Sequence, residues 1–301
     1  MFESLEKFCG VPKLTGNFII GTTGMTRIFS IGVLVLWAQS AVAQSAPVPE
    51  QVDALLEAIR LRDTVEVMTE ESLSYGQEIG DDILAGGGQS PVWVAQLQDI
   101  YDADRQYAVM RRVMARELGD RDLTPILEFY GDGVGAEAIA LEIEARRALL
   151  DQAAEDAAIA RLEEMRDDND PRLDLVEQFV EANDLVELNV SGGLNAEFAF
   201  LSGFYTGSGA VAEIPESDIL SEVWGREQEV RDSTSEWLAY YLLMAYHPLS
   251  DAELQAYIDY SETEAGRALN LALFAAFDVL FTQTSRELGF ATGQMVVGED
   301  I

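Results

Sequence analysis

The chain repeats itself, and a repeat restricts a fold more than any single residue can. Trp93 recurs as Trp224. The same offset of 131 carries Leu118 onto Leu249, Asp120 onto Asp251, Leu123 onto Leu254 and Gly135 onto Gly266. Apolar faces apolar between these matches: Ile126 with Tyr257, Leu127 with Ile258, Phe129 with Tyr260, Leu149 with Leu280. At an offset of 121, Asp53, Leu55, Ile59, Asp63 and Val65-Glu66 fall on Asp174, Val176, Val180, Asp184 and Val186-Glu187. Ten extra residues in the second copy reconcile the two offsets. Identities are few, but collinear order and preserved apolar spacing are what a duplication leaves behind.

Helical spacing runs through both copies, and strand signals are nearly absent. Val52, Leu55, Leu56 and Ile59 form one stripe. Trp93, Leu97, Ile100, Tyr107, Met110, Met114 and Leu118 form another, interrupted only by Asp104. Asp122 is expected to cap a short helix through Tyr130, and one long helix to run from about Ala136 through Arg166. Asp167-Asp168-Asn169-Asp170-Pro171 looks like a calcium loop but lacks its Gly, and twelve residues from Asp168 end at Phe179 rather than Glu. It reads as a helix stop. The ten extra residues fall within the Gly-rich, nearly uncharged stretch Asn189–Ser217. His247-Pro248-Leu249-Ser250 is a turn and N-cap, followed by a helix Asp251–Tyr260 and an apolar one from Gly266 to Leu288. The fold class expected is all-α: two tandemly duplicated helical units of about five helices each, over 44–170 and 171–301, packed as a pseudo-twofold bundle. An extended helical array is the alternative.

The first 43 residues read as a leader and signal peptide. Met25-Thr26-Arg27 opens a basic region, Ile28–Trp37 is apolar, and Ala41-Val42-Ala43 is a small-x-small cleavage site. Ten apolar residues are too few to cross a bilayer, which takes roughly 20. Translation is expected to start at Met25 and cleavage to follow Ala43, giving a periplasmic protein without stable membrane insertion. The single cysteine, Cys9, precedes that cut, so the exported chain holds no disulfide. The formal charge is −35. Both lysines, Lys7 and Lys13, lie in the leader, so every later cation is Arg. Such a surface repels nucleic acid and anionic lipid. It suits a salty medium, a basic partner or loosely held divalent ions.

Most site chemistry is excluded. One histidine, His247, and no cysteine after residue 43 rule out Cys–His nucleophiles and Cys/His zinc sites. His247 precedes Pro248, and no Gly-x-Ser-x-Gly elbow is present. There is no phosphate loop, and no lysine for a Schiff base. Asp81-Asp82, Glu70-Glu71 and Glu163-Glu164 read as solvated helix faces. No catalytic, cofactor-binding or metal-ligating residue is nominated.

What remains is a repeated local pattern: Leu118-Gly119-Asp120 through Phe129-Tyr130 to Gly135, and Leu249-Ser250-Asp251 through Tyr260 to Thr263-Glu264-Ala265-Gly266. It resembles the bacterial periplasmic family known as domain of unknown function 2059, present as two divergent copies. That family's stretch is an acidic helix start, a short apolar helix, an aromatic pair, then Ser/Thr-Pro-x-Gly and a long apolar helix. The second copy, near 249–288, departs in Ser261 and Glu264; the first has Asp132-Gly133 in place of Ser/Thr-Pro. The resemblance spans roughly 45 residues per copy. It implies an all-helical secreted domain and no particular activity. Packing accounts for the pattern on its own: the acid meets the helix dipole, and the Gly admits a close helix turn.

Two function classes follow. One is a non-enzymatic periplasmic protein that supports the cell envelope or binds a protein partner, or itself as a homodimer through its apolar helices. The other is a carrier of a small apolar ligand in a helix-lined cavity. A carboxylate-only hydrolase, with two acids facing one cleft, is a third. Asn189–Ser217 separates the first two: a lid over a cavity favours the carrier, a helical hairpin docked on the core favours the partner.

Overall fold

The structure, a computed structural model, describes residues 50–83, 87–210 and 214–299. Among them all regular structure is helical: α1 (Glu50–Ala58), α2 (Leu61–Ile83), a 3-10 turn (Gly87–Gln89), α3 (Pro91–Ile100), α4 (Ala103–Leu118), α5 (Thr124–Gly131), α6 (Val134–Ala148), α7 (Gln152–Asp168), α8 (Arg172–Ala182), α9 (Leu185–Gly207), α10 (Glu216–Trp224), α11 (Glu227–Tyr246), α12 (Asp251–Ser261) and α13 (Glu264–Glu299). The export signal expected over 25–44 lies outside the described residues.

The helix breaks follow capping chemistry. Ser250 and Glu253 form a reciprocal capping box, with the Glu253 carboxylate accepting from the Ser250 amide at 2.8 Å. Asn169 closes α7 in the left-handed conformation at φ 53°, so the acidic run is a helix stop. Two long helices expected from the apolar spacing are each divided. Asp102 accepts from the Arg105 amide at 2.7 Å and starts α4 afresh, so the Trp93 stripe spans α3 and α4. Asp151 accepts from the Ala153 amide at 2.8 Å and cuts 136–166 into α6 and α7. In both places one carboxylate satisfies orphan amides at a new helix start while the apolar face continues across the joint.

Residues of both halves join one contiguous core. Val52, Leu55, Met110, Met114 and Leu118 are buried with Tyr240, Tyr246, Leu254, Leu269 and Leu280. Trp93 is fully buried in the first turn of α3, and its indole donates to the Gly76 carbonyl at 2.8 Å. Trp224, by contrast, ends α10 and is 61% exposed. The two tryptophans therefore do not hold matching positions. Phe129 and Tyr260 do meet: their rings stack at 3.6 Å with planes 2° apart.

The most extensive helix contact joins α9 to α13. Gly203 and Gly207 lie against the backbone of Arg286 and Phe290, while Gly289 and Gly293 lie against Phe200 and Phe204. The two helices thus run parallel through Gly203-Phe204-Tyr205-Thr206-Gly207 and Gly289-Phe290-Ala291-Thr292-Gly293. A Cβ at any of the four glycines would collide with backbone of the other helix. The Gly-rich stretch that holds the ten extra residues is helical as far as Gly207, and Gly203 and Gly207 in it face a helix rather than a turn. By length and composition α13 could cross a membrane; here it packs on α9, α4, α12, α5, α3 and α2.

This geometry makes opposite predictions for two helical glycines. Gly289→Ala pushes a methyl into the Phe200 carbonyl and should destabilise by about 1–3 kcal/mol. Gly192→Ala meets nothing within 4 Å and should stabilise by about 0.4–1 kcal/mol through a less flexible unfolded chain. Urea midpoints of the two variants against the wild type check the pair of signs.

Candidate functional site

Between the helices lies a cavity of about 510 Å³, open to solvent on one side where Ser191, Asn195 and Leu271 of its lining are exposed. Leu188, Gly192 and Ala196 of α9 form one wall, and Leu273, Phe274 and Phe277 of α13 the next. α11 contributes Trp237, Tyr241 and Leu242; α6 contributes Ile139, Glu142 and Arg146; α12 contributes Tyr257 and Tyr260. Asn195 ties Gly-rich α9 to α13 by donating to Asp278 at 2.8 Å, and Asn270 ties α13 to the C-cap of α8 by donating to the Asn183 carbonyl at 2.8 Å.

The breadth of apolar sequence on α13 has its reason here. Leu269, Ala272, Ala276 and Leu280 are buried in the core. Phe274, Phe277 and Phe281 line the cavity, and Leu271, at its edge, is 60% exposed. One side of α13 meets the core and another meets the cavity.

The polar centre of the cavity is Glu142. Tyr246 donates to its Oε1 at 2.8 Å and Tyr257 donates to the same oxygen at 3.2 Å. Tyr130 approaches the Tyr257 hydroxyl at 3.3 Å, and Tyr241 donates to the Glu142 carbonyl at 3.2 Å. Burial raises the Glu142 carboxyl to about 7, against the pull of the Tyr246 and Tyr257 hydrogen bonds. Burial likewise pushes the Tyr246 and Tyr257 hydroxyls well above the usual phenol range, so they act as donors. The Tyr260 hydroxyl is buried with no partner among the described residues, and burial raises it to about 12.

One turn along α6, Arg146 holds Glu71 through Nε at 2.8 Å and Nη2 at 2.7 Å, and its guanidinium lies 5.9 Å from the Trp237 ring centre. Glu71 is therefore not on a solvated face, as the doublet Glu70-Glu71 suggests. A fork-shaped bidentate pair keeps both charges satisfied at low exposure. Arg231 binds Glu187 and Glu227, and Arg226 binds the buried Glu197, whose other oxygen has no partner among the described residues.

His247 is exposed at the C-cap of α11 and does not itself line the cavity. Glu163 and Glu164 are exposed on α7. Glu142 and Asp278 do line one cavity, the placement a carboxylate-only hydrolase would require. Glu142 itself gives no sign in the sequence: within Leu141-Glu142-Ile143-Glu144-Ala145-Arg146 it matches its exposed neighbour Glu144. What marks it is tyrosines more than a hundred residues away. Among the described residues, no group of His, Asp and Glu is set to hold a metal ion.

The raised carboxyl gives a signed pH prediction. A carboxyl whose folded pKa lies above its unfolded value contributes stability below the unfolded value. That contribution is lost as pH rises through about 7. Glu142→Gln removes the titration, so the variant should gain on the wild type by about 1–2 kcal/mol between pH 5 and pH 8. Denaturant melts of both proteins across that range check it; parallel curves would contradict the burial of Glu142.

No family model matches the chain, and no curated protein and no solved structure is significantly similar to it.

Proposed function

We propose that this protein binds a small, largely apolar molecule in the cavity between α6, α9, α11 and α13. The observation that carries the reading is the cavity's size together with its lining. Aliphatic and aromatic walls predominate, with two carboxyls, Glu142 and Asp278, and a set of tyrosine hydroxyls and side-chain amides among them, and about 510 Å³ falls in the range of ligand pockets, roughly 300–1,000 Å³. Asn189–Gly207 supports it in part: the stretch is docked as a helix, yet its first half forms a cavity wall.

The partner-binding reading keeps one observation of its own. Leu220 and Trp224 sit one turn apart on α10 at 46% and 61% exposure, an apolar face open to solvent. Export rests on Ala41-Val42-Ala43 and the apolar run before it. The likeness of Ser250–Gly266 to domain of unknown function 2059 supports a helix start and a turn, and brings no activity.

We also propose that the two halves descend from one duplicated unit. Each runs short, long, short, long, short helix and then a long final segment, which is α6 with α7 in the first half and α13 in the second. Their packing is reciprocal: α4 lies on α13 and α11 lies on α6 and α7. Gly135 and Gly266 face the carbonyls of Phe129 and Tyr260 in the same way, and those two aromatics stack on each other.

A neutral fluorescent probe such as N-phenyl-1-naphthylamine should bind saturably, one per chain. Leu273→Trp, which fills the cavity, should weaken it at least tenfold with helical content unchanged, about 1.4 kcal/mol or more. Fluorescence titration checks this. Absence of saturable binding, or binding indifferent to Leu273→Trp, would refute the proposal.

A further inference from the structure

We infer that the ligand of this cavity is an amphiphilic cation, an apolar body whose amine head lies against Glu142. The inference rests on the cavity reading above and adds the chemistry of the head group.

The first support is the charge of the lining. Its charged residues are Glu142, Arg146 and Asp278. Arg146 is already matched, fork to fork, by Glu71. The two carboxyls have no such match: Asp278 accepts from the neutral Asn195 and Glu142 from the neutral Tyr246 and Tyr257. A charge removed from water is costly unless an opposite charge accompanies it, and no described residue brings a cation to Glu142.

Geometry is the second support. Both tyrosine hydroxyls converge on Oε1, and Oε2 accepts from no described residue. That oxygen is free for a donor entering from the cavity. The rings of Tyr130, Tyr246 and Tyr257 surround the same point, with Tyr130 and Tyr246 set edge-on to Tyr257 at centroid distances of 6.3 Å and 5.9 Å. Their phenol oxygens gather at the carboxyl, and an ammonium head, with three donors, can use both the free carboxylate oxygen and these oxygens as acceptors. An anionic head would meet two carboxyls and the field of a chain carrying −35.

An ammonium head favours the ionised form of Glu142. Below pH 7 the complex therefore forms with release of a proton to solvent, since the carboxyl that was partly protonated becomes charged. The titratable groups facing it are Tyr130, Tyr241, Tyr246 and Tyr257, all held neutral by burial, and the Arg146–Glu71 pair.

The test compares three probes with one tail: decylammonium, decanol and decanoate, each titrated calorimetrically into the full-length protein. Decylammonium should bind at least tenfold tighter than decanol, and decanoate weakest. At pH 6, calorimetry in buffers of different ionisation enthalpy should register proton release on ammonium binding. Glu142→Gln should remove the advantage of ammonium over alcohol and the proton release, its loss of decylammonium affinity exceeding any change in decanol affinity at least tenfold. If decanol binds as tightly as decylammonium, the cavity reading stands and the cationic ligand is refuted. If the ammonium advantage survives in Glu142→Gln, the preference comes from the acidic surface and the inference is overturned. If none of the three binds, both readings fall.

Discussion

The close approach of α9 and α13 is the constraint on which the other helices depend. Four glycines, two on each helix, bring the backbones together where any side chain would hold them apart. The contact costs helical propensity, since each glycine is worth about 1 kcal/mol less than alanine in a helix interior. It gains dense packing between two long helices that run in the same direction. Because it lies in their C-terminal halves, the N-terminal halves are fixed beside each other with their remaining faces turned to α6 and α11. The cavity occupies the space so defined.

That space places an acid where water is scarce. Glu142 comes from α6, and its tyrosine partners come from α11 and α12. Three helices from the two halves therefore converge on one carboxyl. The hydroxyls supply hydrogen bonds but no charge, so the carboxyl is satisfied as an acceptor and uncompensated as an ion. Nearby, Glu71 and Arg146 show the other solution to the same problem, a complete pair. The difference between the two neighbours, one turn apart on α6, is what gives the cavity a polar preference rather than a uniformly apolar wall.

Much of the fold is legible in the sequence. The all-helical class follows from spacing alone, and the cap at Ser250, the stop at Asn169 and the close turn at Gly266 follow from local chemistry. The breaks at Asp102 and Asp151 do not, because a carboxylate inside an amphipathic run looks the same whether it is solvated or capping. Helix α9 is left open by the sequence, as lid or docked hairpin, for a related reason. Glycine and asparagine mark loops when they face water, and Gly203 and Gly207 are used for contact between helices. Matched glycines four apart in two segments, each followed by Phe, are the signal that could have revealed it. Glu142 lies beyond such reading, since its environment is assembled from distant residues. The exposure of Trp224 against the burial of Trp93 shows the limit of arguing from identities alone.

The most direct measurement of the central claim is a crystal structure of the protein under xenon pressure, because xenon fills apolar cavities that are open but carries no preference of its own for a head group. The account predicts xenon density among Leu242, Phe274 and Phe277, beside Glu142 held by Tyr246 and Tyr257. A closed interior, with α9 and α11 collapsed onto α13 and no xenon between them, would contradict it.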